Sequence, residues 1–447
     1  MTETEKTSKI PVLIAGIIGW AHDGFALVLV SLLATTISAA YGVDKIAIGF
    51  VFSAQYVMTV PGAMIFGELA DRFGRKNILL LSVLWDSIFT SLSAIAPTFE
   101  IFALLRLLSG LGVSWGISFS LLSETFSSEK RGAAGGLVHA TFVVGYIGAV
   151  VVTLIFGNID PINLGPLVLE GWRICFLSAL FPVPFLIYLE FTLDESQVWA
   201  DYKKSTQLEE EVKPEKVRIL DILKGKWLKL TLLLTLLFWL SEFAYHTLAD
   251  WAPTYFEYLF TYELQRTGGD VDSAGTLAMV VMLGVMVIAA FALFTTGWLS
   301  DRIGRRNAFI GCSIIGLLGA SMFFISNFII LPVIIPLIII GCLVLTVSFG
   351  MHGVFGVWSS EVFPTRFRAT ATSIVFSVAR GLAWGAFFVG IVAETLEPAV
   401  PVLEHPLGHA QALAVAMLAC TFAYLAMLVV PRLIPETKGI DITTIQE

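Results

Sequence analysis

Long apolar runs alternate with short polar turns along almost the whole chain. The runs cover residues 11–40, 46–66, 77–96, 100–123, 132–156 and 172–192, and then 227–249, 274–298, 308–327, 331–355, 369–393 and 409–432. Each is close to the roughly 20 residues that an α-helix needs to cross a bilayer. The pattern predicts an all-α membrane protein with twelve transmembrane helices in two pseudo-symmetric six-helix bundles, at 1–192 and 227–447. Between them lies the longest polar stretch, 193–226, read as a cytoplasmic linker with a short surface helix near 216–224.

Composition supports the membrane reading. The 447 residues are 57% hydrophobic and 14% charged, against roughly 45–50% and about 25% in a soluble domain. Cys175, Cys312, Cys342 and Cys420 all fall inside apolar runs, with no metal-like spacing, and read as small apolar residues. The N-terminus, MTETEKTSKI, is polar and mixed in charge, and runs into the first apolar segment without a small-residue cleavage site. It reads as a retained cytoplasmic tail. The net charge of −8 says little about partners.

The distribution of charge gives the orientation. With both termini placed in the cytoplasm, every Lys and Arg falls on the inner side except Lys45, Arg106, Arg173, Arg266 and Arg380. Basic residues concentrate in cytoplasmic loops, so the expectation is a multi-pass plasma-membrane protein with both ends inside. Arg106 and Arg380 lie within predicted helices.

Two charged motifs repeat in the same order. GELADRFGRK at 67–76 follows the second helix, and GWLSDRIGRR at 297–306 follows the eighth. SETFSSEKRG at 123–132 follows the fourth, and SEVFPTRFRA at 360–369 follows the tenth. The halves therefore read as parallel repeats of one six-helix unit. In physical terms, Gly67 and Gly297 permit close helix approach. Asp71 and Asp301 stand at helix ends, where each can meet an arginine or the positive N-terminus of a neighbouring helix. Arg72, Arg75, Lys76, Arg302 and Arg305 can bond carboxylates across the boundary between halves. Gly74 and Gly304 recur at matching places. The pairs Glu124–Arg131 and Glu361–Arg368 extend the charge network. Such contacts can form in one conformation and break in the other, which makes a gate; the alternative is a basic loop that only sets topology.

G-x-L-A-D-R-x-G-R-K between the second and third helices resembles the signature loop of the major facilitator superfamily. RLLSGLG at 106–112, GWR at 171–173, DES at 194–196 and PETKG at 435–439 also look like marks of that family. The resemblance implies a carrier with a twelve-helix fold, working by alternating access, with these loops latching the outward-facing state.

Ionisable groups deep in a membrane helix are costly, so each is a functional candidate. Asp23 lies near mid-membrane in the first helix, where a carboxylate can carry a proton. Its neighbour His22 points elsewhere on that helix, as a relay or a packing group. Arg106 is a candidate partner for Asp23 or for an anionic cargo. Arg380, midway along the eleventh helix, needs an anion: a substrate carboxylate bound in bidentate fashion, or Glu242 or Asp250 of another helix. Glu242 and His246 share a face at a spacing of four and can relay a proton, near Tyr245 and Asp250. Gln55 and Tyr56 can hydrogen-bond cargo. Asp86, His139 and His352 are lesser candidates. Phe and Trp residues read as lipid-facing or packing groups, with none assigned as a stacking platform.

A subfamily resemblance points the same way. Asp23-Gly24-Phe25, Arg380 placed twelve after Arg368, and Trp251-Ala252-Pro253-Thr254-Tyr255 are similar to marks of aromatic-acid, sialate and related metabolite proton symporters. The chain departs from them at Ala26, where those carriers often place a second Asp.

There is no phosphate-binding G-x-x-x-x-G-K-[ST] run and no zinc-helix motif. The chain is expected to be no enzyme and to need no cofactor, metal or nucleic acid. Its expected partners are protons, lipid and a small-molecule cargo, and it is expected to act as a monomer. The resulting expectation is proton-coupled symport of a small organic anion, a mono- or aromatic carboxylate. A sugar or polyol symporter of the same fold is the alternative, favoured by PETKG and disfavoured by the membrane arginines. A multidrug exporter and a nutrient sensor stand behind it.

Overall fold

A chain in hydrocarbon must satisfy its own backbone polar groups, and helices do so segment by segment. The computed structural model describes residues 8–43, 45–157, 159–163, 168–208, 222, 224–326, 334–383, 385–396 and 406–445. In the first half the spans are Lys9–Leu32 continued by Ala34–Tyr41, then Lys45–Phe73, Arg75–Leu92, Phe99–Ser109 with Trp115–Thr125, Arg131–Phe156, and Gly171–Leu177 with Val183–Thr192. In the second half they are Gly225–Ala249, Ala274–Ile303, Arg305–Ser326, Ile334–Ser348 with His352–Val362, Arg368–Gly381 with Gly385–Leu396, and Pro406–Met417 with Ala419–Val429. Within the described residues, each of the twelve expected spans is built from helix. Among the described residues, nine helical stretches are long and apolar enough to cross a membrane. The fourth and eleventh spans are divided, after Ser109 and after Gly381.

Three elements were not anticipated. A helix at Ala252–Thr267 follows the seventh span, opened by Pro253 in its first turn, and packs on the eighth and twelfth. A two-residue antiparallel pair, Ile162–Asn163 with Val168–Leu169, joins the fifth span to the sixth. A helix at Gln197–Leu208 occupies the start of the linker. It is docked by Trp199 Nε1 donating to the Asp71 carbonyl (2.9 Å) and by Lys203 Nζ donating to the Arg72 carbonyl. The surface helix expected near 216–224 falls outside the described residues apart from 222 and 224.

The halves meet where the second span packs on the eleventh and the fifth on the eighth. Both contacts are backbone-close. A Cβ on Gly67 would lie 2.8 Å from Thr370 Cα, and one on Gly297 would strike the Gly132 carbonyl. The inner segments of the fourth and tenth spans complete the contact, with Ser123 Oγ against Ser360 Oγ. The charged-loop end of the molecule is therefore closed.

Candidate functional site: a buried ion pair between two latched halves

At the charged-loop end, Asp71 terminates the second span and faces the start of the eleventh. Its carboxylate accepts from the backbone N–H of Ala369 (3.2 Å) and Thr370 (2.8 Å), and from Thr370 Oγ1 (2.6 Å). Asp301 repeats this at the start of the fifth span, accepting from Gly132 N (2.8 Å) and Ala133 N (2.9 Å). Each carboxylate thus meets a helix N-terminus of the opposite half, where the orphan N–H groups and the dipole favour negative charge. Arg75 and Arg305, both fully buried, pair with these aspartates at 2.8 and 2.6 Å.

The second motif pairs crosswise. Glu124 bonds Arg368 of the other half (2.6 Å) as well as Arg75, and Glu361 bonds Arg305 (3.0 Å) and lies 3.5 Å from Arg131 of the other half. Arg72 lies outside this core and pairs with Glu68 on the surface. Arg302 lies over the Trp298 ring.

Two carboxylates that carry the loops were given no role in the sequence reading. After Gly74, whose φ is 111°, Glu195 accepts from the N–H groups of Arg75 (2.8 Å) and Lys76. After Gly304, whose φ is 97°, Glu436 accepts from Arg305 (2.9 Å) and Arg306 (3.0 Å). The left-handed region suits glycine, and in each loop a Cβ would also press on the carboxylate. The signal was present: DES and PETKG close the two halves at equivalent points.

Deeper in, Arg380 closes the first helical piece of the eleventh span. Its Nη1 donates to Asp23 Oδ2 of the first span at 3.0 Å, across the boundary between halves. The rings of Tyr56, Phe376, Trp20 and Phe142 surround the guanidinium, with centroids 4.9–5.7 Å away. One turn toward the charged loops, Trp115 stacks on Phe376 with centroids 4.0 Å apart and 15° between planes. Phe238 and Phe355 extend that stack from the other half. The rings read as packing groups do pack here, and those around Arg380 form a cage between the halves. Several buried polar atoms of this region have no hydrogen-bond partner among the described residues, including Trp115 Nε1, Ser118 Oγ, Ser373 Oγ and Ser377 Oγ.

Arg106 departs from its expected place. Its side chain is fully buried and donates to Thr90 Oγ1 (2.8 Å), the Ala26 carbonyl (3.1 Å) and Gln55 Oε1 (2.8 Å). Thr90 in turn donates to Asp86 (3.0 Å), and Asp86 meets His22 at 3.1 Å. Arg106 and Gln55 thus belong to a network inside the N-terminal half, with Asp86 as the anion, and neither pairs with Asp23.

The seventh span brings a separate group together. Glu242 Oε2 lies 3.5 Å from His246 Nε2, and Glu242 Oε1 lies 3.4 Å from His352 Nε2 of the tenth span. His246 Nδ1 meets Asp250 at 2.9 Å. Among the described residues, no group of three or more metal-ligating side chains could hold a metal ion.

The Major Facilitator Superfamily profile matches residues 14–388. The chain belongs to this superfamily. It is a multi-pass membrane transporter, not an enzyme. Among its relatives, the probable 4-methylmuconolactone transporter of Cupriavidus pinatubonensis is 27% identical over 96% of this chain and 91% of its own length. The cis,cis-muconate transport protein of Acinetobacter baylyi is 25% identical over 83% of this chain and 84% of its own. The structure of the proton:xylose symporter XylE bound to 6-bromo-6-deoxy-D-glucose superposes with a TM-score of 0.71 at 18% identity, covering 97% of this chain and 98% of that one. That likeness shows the facilitator fold alone. Within this facilitator chain, the structure brings Asp23, Arg380 and Tyr56 together, gathers Glu242 and His246 beside them, and sets Arg106 and Gln55 apart.

Proposed function

We propose that this facilitator is a proton-coupled symporter of a small organic anion, a mono- or aromatic carboxylate, working by alternating access. The observation that carries the reading is the Asp23–Arg380 bridge inside an aromatic cage between the halves. A guanidinium at that depth requires an anion, and here the first span supplies it. Protonation of Asp23 removes the negative charge and frees Arg380 to take a substrate carboxylate in two parallel hydrogen bonds. The exchange of one carboxylate for another on the same arginine couples proton to cargo. Asp23 keeps about a quarter of its side chain exposed (26%), so proton and cargo can reach the pair.

Ser373, Ser377 and the Trp115 indole supply hydroxyl and N–H groups to a polar cargo, and the surrounding rings suit a planar one. The muconolactone and muconate named for two relatives agree with such a substrate. We read the charged-loop end, closed by Asp71 and Asp301, as the cytoplasmic side of the plasma membrane from its basic bias, and the state as one closed to the inside. The glutamate of PETKG holds the loop at Arg305, a role that does not depend on the cargo.

The test is uptake of a labelled carboxylate panel, with sugars alongside, into proteoliposomes under an imposed acid-outside gradient. Accumulation of carboxylates that is lost in Arg380→Ala supports the reading. Accumulation of sugars alone, or normal carboxylate uptake by Arg380→Ala, overturns it.

A further inference from the structure

The Glu242 cluster has a geometry that a packing role does not explain. His352 Nδ1 lies 3.0 Å from the Phe349 carbonyl, which can only accept, so Nδ1 carries a hydrogen. The other ring nitrogen, Nε2, then has only a lone pair unless the ring is cationic. It faces Glu242 Oε1 at 3.4 Å with no hydrogen bond formed, and the two side chains are 7% and 9% exposed. A lone pair facing a carboxylate oxygen in a water-poor interior is unfavourable. A proton on either partner converts the contact into a hydrogen bond or an ion pair. His246 stands on the other side of the same carboxylate, with Nε2 toward Glu242 Oε2 and Nδ1 against Asp250. Asp250 is the one member that opens to solvent, with 40% of its side chain exposed.

We propose that Glu242 and His352 hold one proton between them, as a second proton-binding site separate from Asp23 and filled from Asp250 through His246. In the transfer, Asp250 takes a proton from a hydronium ion in the solvent and, with His246 in its Nε2–H tautomer, gives it to the Nδ1 lone pair. His246 Nε2 gives its own proton to Glu242 Oε2, so the ring changes tautomer and keeps its charge. Rotation of the protonated Glu242 carboxyl group then turns its O–H toward His352 Nε2, and the proton is shared between the two side chains. The titratable and charged groups that face this string are Tyr245 on the same span, Tyr56 of the second span against His246, His139 of the fifth span 6.0 Å from the His352 ring, Tyr146 near Asp250, and Arg380 with its partner Asp23. His139 also packs on Trp20, which borders the Arg380 cage, so the stored proton lies next to the cargo site. The inference rests on the reading of the chain as a proton-coupled carrier, but not on which anion it carries.

The first measurement needs no substrate. Purified full-length protein in nanodiscs near neutral pH is examined by infrared difference spectroscopy and by 15N-histidine NMR. The expected result is either a protonated-carboxyl band that Glu242→Gln removes, or an imidazolium nitrogen pair that His352→Asn removes. The signal is expected to survive Asp23→Asn. Absence of both signals in the wild type overturns the proposal, as does loss of the signal in Asp23→Asn alone. The second measurement uses whichever carboxylate or sugar of the panel the wild type accumulates. Glu242→Gln and His352→Asn are expected to lose accumulation under a pH gradient while exchanging internal for external probe near the wild-type rate. Wild-type accumulation by both variants overturns the proposal. So does a proportional loss of exchange and accumulation that His352→Gln shares. Failure of the Arg380 clamp would appear separately, as loss of both activities in Arg380→Ala with the proton signal intact.

Discussion

Asp71→Asn is expected to open the charged-loop end. The substitution keeps the side chain's shape and removes its charge. In the closed state the carboxylate accepts from Ala369 N, Thr370 N and Thr370 Oγ1 of the other half, and pairs with buried Arg75. An amide nitrogen in place of one oxygen would turn a donor toward these donors. Hydrogen bonds to a charged acceptor contribute about 1.5–3 kcal/mol each. Once the halves part, water meets the same groups and returns much of that energy, leaving a bias of about 2–3 kcal/mol toward the closed state. At 1.4 kcal/mol per factor of ten, the substitution is expected to shift the closed-to-open ratio roughly 30- to 150-fold. Spin labels at Phe73 and Ile303, both exposed beside the two motif loops, read the separation of the halves in lipid. A long-distance population is expected to appear or grow strongly in the variant. A distance distribution identical to wild type, with the protein folded, would refute the latch.

Gly297→Ala is expected to disrupt the fifth–eighth contact, because the new Cβ meets the Gly132 backbone; overpacking costs about 1–3 kcal/mol, visible as a lower melting temperature in detergent and reduced uptake. A double-mutant cycle on Glu124 and Arg368 is expected to give a coupling of about 0.5–3 kcal/mol between closed-state populations, and a cycle on Glu124 and Arg131, which do not pair, is expected to give little. Arg106→Ala is expected to leave Gln55 Oε1 and the Ala26 carbonyl without their buried donor and to lower stability by about 1–3 kcal/mol for each acceptor left unsatisfied, read by thermal unfolding, while molecules that fold keep wild-type KM for the cargo. Glu195→Gln or Glu436→Gln weakens a loop cap and is expected to cost about 1 kcal/mol each, read by thermal unfolding.

The spans and the doubling of the chain were legible because both are local patterns: apolar runs of membrane length, and motifs that recur at matching positions. The breaks in the fourth and eleventh spans were not, since an apolar run reads the same through a kink. The repeat also concealed its own pairing. Alignment sets Glu124–Arg131 beside Glu361–Arg368, but symmetry between halves exchanges the partners, so each glutamate meets the other half's arginine. Arg106 and Arg380 look alike as isolated membrane charges. Only the fold separates them, enclosing one within the N-terminal half and placing the other on the boundary against Asp23. The helix at Ala252–Thr267 escaped notice because it is too polar to read as a span.

The central claim is that cargo and Asp23 compete for Arg380, with a proton deciding the outcome. The direct measurement is equilibrium binding of a transported carboxylate to purified protein across pH, in wild type and Asp23→Asn. The expected result is an affinity that weakens as pH rises in the wild type and stays nearly constant with pH in the variant. A variant that keeps the wild-type pH dependence would contradict the account.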